Sequence, residues 1–216
     1  MVNLDSINLA AFLPQTFALG PGSRAALWVQ GCPFQCPGCI SPEWQSESPH
    51  QSLKVNQIVE WITNTPSISG LTISGGEPFQ QAGPLSLLIS KIKLTRDLNI
   101  IVYSGYTLEQ LIKRIPHSPE IGLLLDQIDV LIDGPYQNNL DDNKGLRGSS
   151  NQRVHHITTR LSGFDFNNTP RTVEFHIQNN SIVLAGIPPA GILQLFQGLT
   201  GHKVQDDLTE EVINER

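Results

Sequence analysis

The sequence has few cysteines and few basic residues. Only 3 of its 216 residues are cysteine, an odd number that cannot form a closed set of disulfides. Lys and Arg number 14 against 20 Asp and Glu, which gives a net charge of −6. This acidic balance argues against binding to nucleic acid through its phosphates and against binding to an anionic membrane surface. We therefore expect neither nucleic acid nor a membrane as a partner.

The sequence also lacks the marks of an exported or membrane-anchored protein. Residues 1–20 are partly apolar, but they contain no basic cluster and are interrupted by Asp5 and Pro14. No apolar window approaches the length of a membrane span. We expect a cytoplasmic protein, and the length suits a domain whose core needs no disulfides.

All three cysteines stand in one short stretch, GCPFQCPGC, with the spacing Cys-x3-Cys-x2-Cys at Cys32, Cys36 and Cys39. In a reducing compartment such a cluster is more typical of metal binding or catalysis than of disulfides. A cluster of four irons normally takes four thiolates, so three thiolates leave one iron open to bind a substrate. Three backbone amides of the stretch are free to donate hydrogen bonds to the sulfurs: Phe34, Gln35 and Gly38.

Besides a reactive thiol cluster without metal, two other interpretations of the cysteines remain open at this point. The first is a structural zinc site in which His50 or His117 supplies a fourth ligand. The usual zinc patterns have two cysteine pairs, or a cysteine pair with paired histidines, and this sequence has neither. The second is an iron–sulfur electron carrier, although such a carrier gains nothing from an open iron.

Four short, continuous apolar runs predict strands that are buried on both faces of a parallel sheet, at residues 26–30, 71–74, 98–103 and 128–133. Between them, apolar residues repeat at helical spacing over residues 55–62, 85–92 and 108–115. Thr107 and Gln110 form a candidate capping box before the third helix. This alternation predicts an α/β fold with crossover connections.

Each predicted strand is followed by a distinctive loop. The cysteine stretch follows the first strand, and Gly-Gly-Glu-Pro at residues 75–78 follows the second. Ser-Gly-Tyr-Thr at residues 104–107 follows the third, and Gly-Pro-Tyr at residues 134–136 follows the fourth. Ligand sites of parallel α/β sheets and barrels lie at the carboxyl ends of the strands, so the four loops predict a single site.

The alternation of strand and helix patterns ends after residue 157. Residues 172–178 and 182–185 flank Asn-Asn-Ser at residues 179–181 and predict a β-hairpin. A short helix is predicted over residues 192–199, followed by a polar, acidic tail. We therefore divide the chain into a core of residues 1–157 and a C-terminal extension of residues 158–216, which is expected to pack on the core.

Four stretches together resemble a known family. They are GPGSRAALWVQGCPFQCPGCISPEW, ISGGEPF, YSGYTLEQL, and DVLIDGPY with the later LRGSSNQRVHH, and they cover about residues 17–157. The cysteine spacing and the Gly-Gly-Glu-Pro motif resemble the radical S-adenosylmethionine (SAM) superfamily. The whole set is similar to the activating proteins of anaerobic ribonucleoside-triphosphate reductases.

The resemblance implies a fold, a reaction and partners. The fold is an incomplete (βα) barrel, here with a C-terminal hairpin and helix, because the predicted units are too few to close a ring of eight. A 4Fe–4S cluster on Cys32, Cys36 and Cys39 would cleave SAM to a 5′-deoxyadenosyl radical, which abstracts hydrogen from a glycine of a partner enzyme. The implied partner is an anaerobic ribonucleotide reductase, and the implied electron donor is reduced flavodoxin or ferredoxin. The alternative is another protein, peptide or small-molecule substrate.

The resemblance also implies which residues contact SAM: Gly38, Cys39, Ile40, Gly75, Gly76, Glu77 and Asp133. Gly75 and Gly76 would allow a close backbone approach to SAM. Glu77 would accept hydrogen bonds from nearby backbone or from the SAM amino group. Asp133 would lie near the SAM carboxylate or a cation, or would only cap the loop after its strand. The residue that contacts the adenine of SAM stays unassigned. Tyr103 and Tyr106 would either stack on the adenine or only pack edge-on within the protein.

Overall fold

A computed structural model describes residues 5–178 and 181–192, together with Leu195 and Gly198. Within these residues, no helix is both long enough and apolar enough to cross a membrane. The strands are β1 Ser6–Thr16, β2 Arg24–Val29, β3 Gln51–Lys54, β4 Gly70–Gly75, β5 Asn99–Ser104, β6 Val130–Asp133, β7 Arg153–His156, β8 Val173–Gln178 and β9 Ser181–Gly186. The α-helices are α1 Val55–Asn64, α2 Ala82–Lys93, α3 Leu108–Arg114 and α4 Pro119–Leu125.

Seven strands form one mixed sheet in the order β3-β1-β2-β4-β5-β6-β7. The central strands β2, β4, β5 and β6 run parallel. β1 and β3 extend the sheet on one side with antiparallel pairing, and β7 does so on the other. The predicted α/β class with a central parallel sheet is therefore confirmed.

The first predicted run and the last are buried on both faces, as their continuous apolar sequences indicated. Every residue of β2 and of β6 is buried. One face of the sheet packs against helices α1 to α4 in the main apolar core, and we call it the helical face. The core residues Leu27, Ile73, Val102 and Leu131 lie on this face, one from each parallel strand.

The opposite face of the sheet packs against chain that follows the sheet. Near β1 and β2, Ala185 of the hairpin packs with Leu13, Leu19 and Trp28. Near β5 and β6, Leu161 and Phe166 pack with residues of both strands and with Leu146. The extension therefore covers this face, and its hairpin forms a separate two-stranded sheet.

The predicted helices are present, and α3 opens with the predicted capping box. The Thr107 hydroxyl accepts from the Gln110 N–H, and the Gln110 side chain accepts from the Thr107 N–H. Four elements had no counterpart in the prediction: β1, β3, β7 and α4. No strand was predicted within residues 1–20, whose apolar residues are interrupted by Asp5 and Pro14. The structure instead places residues 6–16 between β2 and β3 in the sheet.

The C-terminal hairpin is confirmed as β8 and β9, which pair antiparallel. Glu174 fixes it to the end of β1 by accepting hydrogen bonds from the Thr16 hydroxyl at 2.7 Å and the Phe17 N–H at 2.9 Å. The predicted helix over residues 192–199 lies largely outside the described residues, and the tail after it lies wholly outside them. The division of the chain at residue 157 stays a prediction.

Candidate metal and cofactor site

The cysteine loop begins where β2 ends and is held by the short 3-10 helix Pro42–Gln45. The Gly31 N–H donates to the Trp44 carbonyl at 2.9 Å, and the Cys32 N–H donates to the Gln45 carbonyl at 3.1 Å. The Cys39 N–H turns back to the Cys36 carbonyl at 3.1 Å. The loop is therefore folded on itself and carries its three thiols at the carboxyl edge of the parallel strands.

All three cysteines are free and half-buried. Within the part of the chain that the structure describes, no three Cys, His, Asp or Glu side chains form a group that could hold a metal ion. This holds for the three cysteines alone as well as for the cysteines with His50 or His117, so it does not separate the zinc alternative from an iron–sulfur cluster. Three uncommitted thiols on one loop nevertheless match the donor chemistry of an iron–sulfur cluster with one open iron.

Backbone N–H groups face two of the sulfurs. The Phe34 N–H is directed at the Cys32 sulfur, as the sequence predicted, and the Tyr136 N–H is directed at the Cys36 sulfur, and each acts to lower the pKa of that thiol. Burial nevertheless raises the pKa of the Cys32 thiol to about 11, and Glu77 and the other two thiols act in the same direction. Burial also raises the pKa of the Cys36 thiol. At neutral pH both free thiols are therefore protonated, and metal binding would release their protons.

Gly75 and Gly76 pack directly against the chain that leads into the cysteine loop. The Gly76 N–H donates to the Val29 carbonyl at 2.7 Å. A Cβ atom on Gly75, which has a φ of 102°, would lie 2.4 Å from the Val29 nitrogen. A Cβ atom on Gly76 would lie 2.2 Å from the Gly31 carbonyl oxygen. The close approach that the glycines permit in this structure is thus to the start of the cysteine loop, and a contact with SAM stays a prediction.

Glu77 joins three of the loops from a fully buried position. Its N–H donates to the Gly31 carbonyl at 2.8 Å. Its carboxylate accepts from the Phe79 N–H at 2.9 Å, the Ser104 hydroxyl at 3.0 Å and the Gly105 N–H at 2.7 Å. Burial raises its pKa to about 7 despite these bonds. The backbone role predicted for Glu77 is therefore present, and its oxygens are largely occupied within the protein.

Phe34 anchors the cysteine loop on the loop that follows β5. Its ring meets the Tyr106 ring edge-on, with 4.7 Å between the ring centroids. A Cβ atom on Gly105 would lie 2.5 Å from the Phe34 ring, so a glycine is needed there. Tyr106 is further held by the Gln80 side chain, which donates to its hydroxyl, and by the Arg114 guanidinium over its ring. Tyr106 is thus engaged in edge packing, the second of its predicted roles.

The loop after β6 covers the far side of the cysteine loop. The Tyr136 N–H reaches Cys36, and a Cβ atom on Gly38 would lie 3.1 Å from the Asn138 side chain. Gly38 itself has a φ of 76°, in the left-handed region that favours glycine. Ile40, just past the last cysteine, is 53% exposed. The sequence marked residues 134–136 as a loop of the site, but it gave no signal for the contacts of Tyr136 and Asn138.

Asp133, the last residue of β6, contacts the start of α3. Its buried carboxylate accepts from the Leu108 N–H at 2.6 Å and from the Arg153 guanidinium at 2.8 and 3.1 Å. The His155 Nε2 lies 3.0 Å from the same carboxylate, without the alignment of a hydrogen bond. The Asp133 carboxylate therefore joins the end of β6 to the start of α3, whereas its capping of the loop after β6 and its contact with SAM both stay predictions.

The polar segment at residues 147–153 also binds within the protein. The Asn151 amide donates to the Pro135 carbonyl at 2.8 Å, and the Gln152 amide donates to the Gly134 carbonyl at 2.8 Å. The Arg147 guanidinium pairs with Asp142 at 2.6 Å. This segment therefore fixes the loop that covers Cys36 and Gly38.

The comparisons with known proteins agree with this geometry. A family model described as a 4Fe-4S single cluster domain matches residues 18–155. The anaerobic ribonucleoside-triphosphate reductase-activating protein of Enterobacteria phage T4 is 33% identical over 153 residues, which cover 68% of this chain and 93% of that protein. The protein of the same name from Escherichia coli (strain K12) is 32% identical over 159 residues, covering 70% and 99% of the two chains.

A more distant similarity extends to a second kind of activating enzyme. The pyruvate formate-lyase-activating enzyme of Staphylococcus aureus (strain USA300) is 36% identical over 80 residues, which cover 34% of this chain and 32% of that enzyme. The family model ends at residue 155, before the extension begins. From the family model and the nearly full-length matches, the chain belongs to the radical SAM family of anaerobic ribonucleoside-triphosphate reductase-activating proteins.

Proposed function

We propose that this protein is a radical SAM activase that installs a glycyl radical on an anaerobic ribonucleoside-triphosphate reductase. The observation that carries the proposal is the three-cysteine loop with no fourth cysteine, fixed at the carboxyl edge of the parallel strands. The names of the relatives that match over nearly their own whole length support this partner.

Cys32, Cys36 and Cys39 would hold a 4Fe–4S cluster with one open iron, and SAM would bind beside it. When bound, the cluster would supply one electron for cleavage of SAM to methionine and a 5′-deoxyadenosyl radical, which would take a hydrogen atom from the partner's glycine. The chain's own residues position these groups. Phe34 and Tyr136 direct N–H groups at two sulfurs, and Glu77 ties the cysteine loop to the loops after β4 and β5. We assign SAM contacts to Gly38, Ile40, Gly75 and Gly76.

The sheet fits an incomplete (βα) barrel. Its helices lie on one face, and its edge strands β3 and β7 are not paired with each other among the described residues. A barrel that is not closed between its edge strands would let a large protein present a glycine-containing loop to the carboxyl edge. We further assign the protein to the cytoplasm, where three free thiols stay reduced, with reduced flavodoxin or ferredoxin as the electron donor.

The direct test is an activation assay without oxygen. Cluster-loaded protein, a chemical reductant and SAM are mixed with a purified anaerobic ribonucleoside-triphosphate reductase, and the glycyl radical is measured by electron paramagnetic resonance. We expect the radical signal with wild-type protein and none with Cys36→Ala. SAM cleavage without a radical on the reductase would contradict the assignment of the partner.

A second target is favoured by one specific observation, the match to a pyruvate formate-lyase-activating enzyme over 80 residues. The same assay with pyruvate formate-lyase in place of the reductase distinguishes the two. A glycyl radical on pyruvate formate-lyase alone would replace the proposed partner with this one.

A further inference from the structure

Arg171 lies beyond the residues that the family model matches, yet it reaches the loop that covers the cysteines. Its side chain is only 1% exposed. One terminal nitrogen donates to the Arg147 carbonyl at 2.8 Å and to the Gly148 carbonyl at 3.1 Å. The same nitrogen pairs with the Asp141 carboxylate at 2.9 Å. A buried charge from the extension thus joins two separated parts of one loop segment, residues 134–150.

That segment is closed on itself around the contacts of Arg171. The Gln137 N–H donates to the Ser149 hydroxyl at 3.1 Å, and the Ser150 N–H donates to the Leu140 carbonyl at 2.8 Å. Gln137 follows Tyr136, whose N–H is directed at the Cys36 sulfur, and precedes Asn138, whose side chain lies 3.1 Å from the Cβ position of Gly38 in the cysteine loop. A continuous set of contacts therefore leads from Arg171 through Ser149 and Gln137 to the sulfur of Cys36.

We propose that Arg171 is a positioning residue of the metal site, which holds residues 134–150 so that the Tyr136 N–H stays directed at the Cys36 sulfur. This inference rests on the proposed function only in taking Cys36 as a cluster ligand. It gives the extension a part in the site, because residues 1–157 alone would lack this arginine. Hydrogen bonds to ligand sulfurs set the reduction potential of iron–sulfur clusters, so loss of Arg171 would change that potential.

The first experiment measures amide hydrogen exchange by NMR in the full-length, cluster-free protein with its thiols reduced. Arg171→Met removes the guanidinium while keeping an aliphatic side chain. We expect the Tyr136 amide to exchange at least about tenfold faster in this variant. The bonds that are lost run from the charged guanidinium to two carbonyls, and one hydrogen bond of this kind contributes about that factor to the stability of the segment. The Phe34 amide, which is directed at Cys32, should not change.

Arg160→Met is the matched control, because Arg160 is also an arginine of the extension but binds at the other end of the strands. It donates to the Leu98 carbonyl at 3.2 Å and pairs with Asp97 at 2.9 Å, just before β5. We expect it to leave Tyr136 exchange unchanged. Should Arg171→Met not fold, Arg171→Lys serves the same comparison, with a smaller acceleration because an ammonium can reach some of the same acceptors.

The second experiment uses cluster-loaded protein and measures the reduction potential by titration followed with electron paramagnetic resonance. We expect a lower potential in Arg171→Met than in wild type and in Arg160→Met, because a lost N–H bond destabilises the more negative, reduced cluster. Equal Tyr136 exchange and equal potentials in all three proteins would overturn the inference. A wild-type protein that loads a cluster but cleaves no SAM would instead overturn the proposed function, and the exchange result would stand independently.

Discussion

The buried carboxyl group of Glu77 makes the stability of the protein depend on pH in a specific direction. Burial raises its pKa from 4.5 to about 7. Between these values the folded protein holds a proton that the unfolded chain releases, so the free energy of unfolding falls as pH rises. A pKa difference of about 2.5 units, at about 1.4 kcal/mol for each unit, amounts to about 3 to 4 kcal/mol over the whole range.

Glu77→Gln removes this titration while keeping the size of the side chain. The two proteins are compared without cluster and with reduced thiols, in urea unfolding followed by circular dichroism at several values between about pH 5 and pH 8. We expect the difference in unfolding free energy to shift by about 2 to 3 kcal/mol in favour of Glu77→Gln over that interval. The Cys32 thiol, whose pKa is raised to about 11, does not titrate in this range.

Only the change with pH is informative, because the amide of Glu77→Gln cannot accept every bond that the carboxylate accepts. It loses at least the bond from the Gly105 N–H or that from the Phe79 N–H, and this cost does not vary with pH. A difference that stays constant from about pH 5 to pH 8 would refute the argument that burial of Glu77 controls its protonation.

Two further substitutions test the packing at the two ends of the parallel strands, Gly76 at the carboxyl ends and Arg24 at the amino ends. In urea unfolding, Gly76→Ala should destabilise the protein by about 1–3 kcal/mol, because its Cβ would lie 2.2 Å from the Gly31 carbonyl oxygen. Gly163→Ala is the control. Its Cβ would meet nothing within 4 Å, so its unfolding free energy should stay within about 0.5 kcal/mol of wild type. Arg24→Met should lower the free energy of unfolding by more than about 3 kcal/mol. It removes a fully buried guanidinium and leaves its acceptors, among them the Asn99 carbonyl, without a donor. A cost near zero for either Gly76→Ala or Arg24→Met would contradict the packing described here.

Local patterns were sufficient to predict the parallel strands, three of the helices and the four loops of the site. Apolar runs and helical spacing depend on neighbouring residues, and the capping box at Thr107 depends on residues three apart. The meeting of the loops also followed, because carboxyl ends of parallel strands share one edge. The structure confirms this through Phe34 against Tyr106 and Tyr136 against Cys36.

The contacts that were missed join residues far apart in the sequence. The Glu77 carboxylate bonds to Gly105, and Arg171 bonds to carbonyls more than twenty residues away, and no local pattern encodes such pairs. β1 was not predicted because Pro14, which cannot donate to a strand ladder, interrupts its apolar run, and the structure accommodates this proline at a register irregularity between Leu13 and Thr16. Asp133 shows a second limit of sequence patterns. A carboxylate at the end of a strand is compatible both with ligand binding and with a structural bond, and the structure shows a bond from the Leu108 N–H at the start of α3.

The most direct test of the account is whether the cluster-loaded protein cleaves SAM. The protein is reconstituted with iron and sulfide without oxygen, reduced, and mixed with SAM, and 5′-deoxyadenosine is measured while the cluster is followed by electron paramagnetic resonance. The account predicts a spectrum that changes when SAM is added and formation of 5′-deoxyadenosine, with both lost in Cys36→Ala. Uptake of zinc in place of iron, or a cluster whose spectrum is indifferent to SAM and yields no 5′-deoxyadenosine, would contradict it.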